Sequence, residues 1–365
     1  MSYQICDLVQ LNAIQENLDT VAGNKHLAAE KTPLLDFVMS QQNVASFDIQ
    51  KRISGGDGKL RDLEIYWSQA LLASEVTENL TGCDATSNPC QLTKTYSFDP
   101  DANVGMDFKL SVGQLSTNPE TNTRMISERV RNMMNAIKSK ISQNLATSVV
   151  AGGIGAWSQD VTEVTGTNLS GGILEVNTTL ANGTGAARIA NPVLFEQLRT
   201  AISMANFGST AFFGKNELAA YVRKAMVGSD SQIGYNLLAA LEEWGVAAFY
   251  DKDLTAALLA AASPATNLAV SLGSIAPVGY SLYLNDGAAI NSADSIASTL
   301  YDPFTGMMFE YRMTRPCDDW LIQLRARYDF YYMPTDLYKA GHNLVGVTGV
   351  APIEVVCTDL APCAE

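Results

Sequence analysis

The chain has 365 residues, of which 47% are hydrophobic and 17% charged, with 24 Lys and Arg against 38 Asp and Glu for a formal net charge of -14. That length suits one elaborate domain or two intimately joined ones. The acidic balance excludes a dedicated DNA-binding domain, which needs clustered cations, and charge is scarce for a monomer's surface, so either surface is buried against partners or Ser, Thr, Asn and Gln take its place.

The first stretch, 1–46, predicts short helical pieces. Leu8, Leu11, Ile14 and Leu18 fall at helical spacing, and Leu34, Leu35, Phe37 and Val38 follow Pro33. Its apolar surface is too thin to fold alone, so it is expected to lie on the rest of the chain or on a neighbouring copy. No positive start leads into an apolar run, as a secretory signal requires, and no uncharged apolar run reaches the roughly 18 residues of a membrane span.

From 47 to 120 the character changes to short β-type runs, 63–67 and 106–110, separated by Gly55-Gly56-Asp57-Gly58 and Asn88-Pro89. This predicts an extended, hairpin-like excursion that packs on another subunit, because its apolar residues are too sparse for a core. A long helix is predicted over 122–150. Ile126, Val130, Met133, Met134, Ile137, Ile141, Leu145 and Val149 recur every three or four residues until Gly152-Gly153. Such a helix needs a sheet to cover. Its other face carries Arg124, Arg129, Arg131, Lys138 and Lys140 and is expected to be solvated.

The region 157–190 is rich in Gly, Thr and Asn and predicts strand and loop, with 173–176 as a strand. A helix follows Asn191-Pro192, with Val193, Leu194, Leu198 and Ile202 as its apolar side. The run 200–285 predicts a compact α/β unit, with strands at 211–213, 246–250, 267–272 and 279–284 and helices at 216–227 and 233–244. The clearest strand is 320–332. There Trp320, Ile322, Leu324, Ala326, Tyr328, Phe330 and Tyr332 alternate with Gln323, Arg325, Arg327 and Asp329, which are expected to face the other way. Before it, 307–314 sets Phe309, Tyr311 and Met313 against Glu310, Arg312 and Thr314, and the turn Asp302-Pro303-Phe304-Thr305-Gly306 joins an earlier strand, so an antiparallel meander is predicted.

Catalytic chemistry finds little to build on. There are two histidines, His26 and His342, too few for a histidine triad or a multi-histidine metal site. The acidic pairs Asp318-Asp319 and Glu242-Glu243 are expected to be solvated, and Asp99, Asp101 and Asn103 start like a calcium loop but lack its glycine and distal glutamate. Gly152-Gly153-Ile154-Gly155 follows a helix, the wrong context for a phosphate loop. Cys6, Cys83, Cys90, Cys317, Cys357 and Cys363 show no zinc-knuckle spacing and are expected as free thiols, with Cys83–Cys90 and Cys357–Cys363 conceivable loop clasps. The sequons at Asn79, Asn168, Asn177 and Asn182 read as by-products of an Asn- and Thr-rich chain. No catalytic, cofactor-binding or metal-binding residue is assigned, and no cofactor or enzyme activity is expected.

Taken in order, these elements resemble the major capsid proteins of tailed bacteriophages, the Hong Kong 97 type of fold. The likeness spans nearly the whole chain and lies in element order, supported by Tyr301-Asp302-Pro303-Phe304-Thr305-Gly306, Arg325-Ala326-Arg327-Tyr328-Asp329-Phe330 and the ending Gly341-His342-Asn343-Leu344-Val345-Gly346-Val347-Thr348-Gly349. It implies an α+β fold with an N-terminal arm (1–46), an extended loop (47–120), a peripheral domain (121–199 and 286–340) with the spine helix 122–150, an axial domain (200–285) and a C-terminal tail (341–365). It further implies a homo-oligomer of hexamers and pentamers closing an icosahedral shell in a virion, assembled in host cytoplasm. Portal and possibly scaffolding or decoration proteins would be its partners, with weak, non-specific contact to packaged DNA and none to a membrane. The chain has no obvious scaffolding segment or protease junction before the arm. None of Lys59, Lys94 and Lys109 is assigned a cross-linking role. Two other readings stand beside this one, an encapsulin-like nanocompartment shell and a secreted β-rich carbohydrate-binding protein or hydrolase.

Overall fold

The computed structural model describes Ile14 and residues 31–40, 102–114, 119–157, 167–177, 193–205, 207–220, 246–281, 295–303, 305–315, 319–333 and 349–356, together with the backbone of 63–68, 91–96, 179–181, 188–190 and 290–292. In chain order its elements are α1 (Pro33–Ser40), β1 (Leu63–Ser68), β2 (Gln91–Tyr96), β3 (Val104–Ser111), α2 (Pro119–Ser148), β4 (Asn168–Ser170), β5 (Ile173–Asn177), β6 (Thr179–Ala181) and β7 (Arg188–Ala190). They continue with α3 (Leu194–Met204), β8 (Thr210–Gly214), β9 (Val246–Tyr250), α4 (Lys252–Ala260), β10 (Asn267–Ser271), β11 (Ile275–Tyr280), β12 (Ile290–Ser292), β13 (Ser295–Tyr301), β14 (Met308–Thr314), β15 (Asp319–Tyr332) and β16 (Val350–Val356). The fold is α+β. The chain forms two compact units, the first from Met1–Leu63, Tyr96–Asn144 and Pro277–Phe330, the second from Glu64–Thr95, Leu145–Ala276 and Tyr331–Glu365.

The first unit is built on a sheet of order β11-β15-β14-β13-β12, with β3 also paired to β15. The meander β13–β14–β15 is antiparallel, with Ser298 opposite Tyr311 and Tyr311 opposite Leu324. Phe309, Tyr311, Met313, Trp320, Ile322 and Leu324 are all buried, as their alternation predicts. Each such side chain withdrawn from water contributes on the order of 1.5–3 kcal/mol. The run 106–110, expected within the reaching excursion, lies instead in this sheet. Leu110 faces Trp320 across an antiparallel register, and Phe108 faces Ile322.

Helix α2 has 30 residues and begins three positions before the predicted start. All eight apolar positions from Ile126 to Val149 are buried, and the helix passes into a wider π turn over Val149–Gly153, where the paired glycines end it. Lys138, expected on a solvated basic face, is buried at 6% exposure because its ammonium meets Asp302. Arg327 and Glu310, expected to face away from the core, are buried together for the same reason, Nε to Oε1 at 3.0 Å. Helix α1 buries Leu34, Leu35, Phe37, Val38 and Met39 within this chain, which settles for 33–40 what the arm segment lies on.

The second unit contains a mixed sheet of order β4-β5-β16-β10-β8-β9. Strands β8 and β10 are buried along their whole length, and Phe213 stacks on Phe249 of β9 at 6.0 Å between ring centroids. The sheet draws strands from outside 200–285. Strand β16, in the stretch read as a tail, runs between β5 and β10 with Ile353 opposite both Leu174 and Asn267. Two other expectations shift: the strand placed at 279–284 is β11, ending at Tyr280, and helix α4 has no counterpart in the sequence reading. Residues 216–220 are helical, as expected, whereas the helix predicted over 233–244 lies outside the described residues.

Candidate assembly surfaces

The side chains that could carry chemistry do not converge. Asp319 opens β15 half-buried, and Asn103 is exposed ahead of β3. Asp318, Glu242, Glu243, Asp99, Asp101, His26, His342 and all six cysteines lie outside the described residues. Among the described residues no three His, Cys, Asp or Glu side chains gather as a metal ion would need. Among them, too, no helix is long and apolar enough to cross a membrane.

What the first unit presents is a braced frame. The turn after β13 is closed by Asp302, whose backbone carbonyl accepts the Gly306 N–H at 2.8 Å and whose Oδ2 accepts the Thr305 N–H at 3.1 Å and the Thr305 hydroxyl. Gly306 stands at φ +68°, a conformation that costs glycine nothing. The same Oδ2 receives the Lys138 ammonium at 3.1 Å, so a carboxylate already fixed by its own turn holds the middle of α2. Near the other end of the helix, the Arg129 guanidinium sits 5.5 Å from the Phe108 ring centroid on β3. On the sheet, Arg327 and Glu310 form a cross-strand diagonal, and the Tyr328 hydroxyl accepts the Met308 N–H at 2.7 Å.

Several surfaces are exposed in each unit. Arg124, Arg129 and Lys140 remain exposed on α2, with Arg124 paired to Glu128 one turn on at 3.3 Å, an ion pair of small energetic weight in water. Asn103, Gly105, Met106, Asp107, Gln323 and Arg325 line a shallow cleft of about 410 Å³ on β3 and β15. Lys109 is exposed on β3. In the second unit Val193, Tyr250, Leu259 and Leu272 are exposed, Leu259 most of all at 81%. Among the described strands, β1 and β2 pair with each other and join neither large sheet. Of the ribbon, the run 63–67 is expected from the sequence, whereas its partner Gln91–Tyr96 is not; Leu259 is not expected either, since nothing in an Ala- and Leu-rich run marks which leucine faces out.

No protein-family model matches the chain, and no curated protein does. The solved structures it resembles include one from Mycobacterium phage Che8, at 13% identity and a TM-score of 0.36 over 86% of this chain and 90% of that one. They also include the capsid of cyanophage P-SCSP1u, at 7% identity and a TM-score of 0.41 over 82% and 85%. The capsid of a native GTA particle matches at 14% identity and a TM-score of 0.35 over 88% and 97%.

Proposed function

We propose that this chain is a major capsid protein, a structural subunit that assembles with copies of itself into hexamers and pentamers of a closed icosahedral shell around double-stranded DNA. The observation that carries the reading is the β1–β2 ribbon. A two-stranded ribbon outside any larger sheet is marginal in water and gains its stability from a surface it lies against. In a shell, that surface belongs to the next subunit. The ribbon is followed in the chain by β3 and the 30-residue α2, the order of extended loop and spine helix in the resemblance. In this reading 121–199 with 286–340 act as the peripheral domain and 200–285 as the axial domain, and the virion is where the protein works.

The charge fits the same role. A container gains little from gripping its cargo, and a net charge of -14 lets packed DNA slide past a wall with weak, non-specific contacts only. Many modest contacts repeated around rings and across a lattice add up to a stable shell without any single strong site. Portal and scaffolding proteins are the further partners such a shell calls for.

The test is expression of the full chain followed by sedimentation and electron microscopy. Closed particles of uniform size are expected, and dispersed monomers under every assembly condition would overturn the proposal. Particles assembled with the phage's packaging genes and holding nuclease-protected DNA would exclude a nanocompartment. A cargo enzyme inside would favour one.

A further inference from the structure

We infer that the open edge of strand β3 pairs with β3 of a second copy of this chain, antiparallel and about a two-fold axis at Phe108, an inference that rests on the reading above that copies of the chain assemble. Among the described strands β3 pairs with β15 alone, Val104 to Ser111 running against Ala326 to Asp319, so its other side is an edge of the sheet. Gly105, Met106, Asp107 and Lys109 are exposed along it, Met106 at 46%, and Phe108 is half-buried. Such an edge offers its backbone N–H and C=O groups as a template for another strand.

The order of charges along the edge identifies the strand that fits it. Asp107 and Lys109 stand two residues apart on one face of the sheet, and neither side chain forms an ion pair or hydrogen bond among the described residues. When β3 is turned about Phe108 onto itself, Asp107 of each copy falls opposite Lys109 of the other, so the pairing gains two opposite-charge pairs. A two-fold centred on residue 107 or 109 would instead set like charges face to face. On the other side of the sheet Met106 meets Leu110 and the two Phe108 rings meet, which takes apolar area from water. A strand of a different protein would need the same acid and base at the same spacing, which a second copy supplies by symmetry.

The adjoining strand carries an independent sign. Arg325 of β15 lies opposite Gly105, and its stem leans over the glycine: a Cβ added at Gly105 would fall 3.5 Å from Arg325 Cβ but 2.9 Å from its Cγ. An exposed arginine, without an ion pair among the described residues, is thereby laid across β3 toward the open edge, where Gly105, Asp107 and Arg325 help to line the cleft of about 410 Å³. In the paired register Gly105 stands opposite Ser111 of the second copy, and Ser111 stands opposite Asp319 on its own β15. The guanidinium therefore points along a row that continues into a hydroxyl and then a carboxylate, and the two-fold repeats that row on the other side of Phe108.

The test compares the full-length wild type with Asp107→Lys, with Lys109→Asp and with the double reversal that carries both, reading assembly by sedimentation and the fold of the subunit by thermal melting. Each single reversal opposes like charges twice and is expected to lower the assembled fraction by about tenfold, because the defect recurs at every such contact. The double reversal restores opposite charges between copies and is expected to assemble within about twofold of the wild type, a rescue that pairing with a different protein would not give. Melting temperatures should be unchanged in all three. Asp107→Cys subunits mixed before assembly with Lys109→Cys subunits should give, on oxidation, a product of twice the chain mass that neither variant gives alone. Directly opposed Cα atoms stand about 4.5–5.5 Å apart, within disulfide reach, and this readout decides the matter if a charge reversal disturbs the melt. A wild type that stays monomeric overturns the shell reading and this inference with it. A wild type that assembles overturns this inference alone if the single reversals assemble equally well, if the double reversal does no better than they do, or if the mixture yields no disulfide product.

Discussion

Lys138 Nζ lies 3.1 Å from Asp302 Oδ2, and both side chains are 8% exposed. The two residues have different obligations. Asp302 also accepts from the Thr305 backbone and hydroxyl, so it stays partly satisfied without the lysine. Asp302→Ala strips the ammonium of its carboxylate and opens the turn, and is expected to cost about 4 kcal/mol, within the range for breaking a buried pair. Lys138→Met keeps the apolar stem and is expected to cost about 2 kcal/mol. The double variant Lys138→Met with Asp302→Ala should be less destabilised than the sum of its parts. Urea unfolding with an unchanged slope measures all of these, and a Lys138→Met variant less stable than Asp302→Ala would contradict the asymmetry.

Gly279 on β11 lies against the Tyr328 ring, where an added Cβ would fall 2.5 Å from Cε1 and 2.7 Å from Cζ. The ring cannot swing aside freely, because its hydroxyl accepts the Met308 N–H. Gly279→Ala is expected to destabilise by about 1–3 kcal/mol through overpacking. Adding Tyr328→Leu should recover part of that loss while giving up the hydrogen bond, worth about 1 kcal/mol. Chemical denaturation of the two single variants and the double variant decides it. Equal stability of Gly279→Ala and wild type would show that the ring yields.

These buried groups mark where legibility in the sequence ended. The stripe from Ile126 to Val149 and the alternation in β14 and β15 were readable because period alone assigns a face to an apolar residue. Lys138, Glu310 and Arg327 sit on faces that period assigns to solvent, and only a partner far along the chain makes their burial tolerable. Strand β16 was unreadable for a different reason. Pro352 argues against a central strand, since it has no N–H for a ladder. The structure accommodates it where β5 does not reach: the parallel register with β5 starts only at Ile353, while the Gly155 N–H donates to the Val350 carbonyl and the Trp157 indole N–H to that of Pro352 at 2.7 Å. As for surfaces, only one strand of the ribbon, 63–68, was legible, because Gln91–Tyr96 carries few apolar residues to mark it, and the exposure of Leu259 depends on which side of a short helix is buried.

Gly214 ends β8 at φ +142°, opposite Asn267 of β10. A Cβ there would lie 2.4 Å from the Thr266 carbonyl oxygen and 2.8 Å from Asn267 Cα, both backbone atoms beside a fully buried strand pair. Neither can retreat without breaking the ladder. Gly214→Ala is therefore expected to be among the most damaging single methyl additions in the second unit, at about 3 kcal/mol or more. By contrast, Gly171→Ala, at φ +58° with nothing within 4 Å, should cost only about 1 kcal/mol from its backbone conformation. Thermal melting of the pair checks the ranking, and the reverse order would mean that the β8–β10 pairing is looser than its register indicates.

The ribbon gives the prediction closest to function. Strands β1 and β2 pair only with each other among the described strands, so their hydrogen bonds support no other sheet. Replacing residues 63–96 with a short Gly-Ser linker removes both strands and what joins them. The shortened chain is expected to keep cooperative unfolding and its helical circular dichroism, because α2 and both six-stranded sheets remain. On the proposed shell function, in which the ribbon lies on another copy, it should fail to form shells in sedimentation and electron microscopy, since a two-stranded ribbon is marginal by itself. Shells of wild-type size from the shortened chain would remove the ribbon from the assembly interfaces. Loss of cooperative unfolding would instead make the ribbon a part of the subunit's own core.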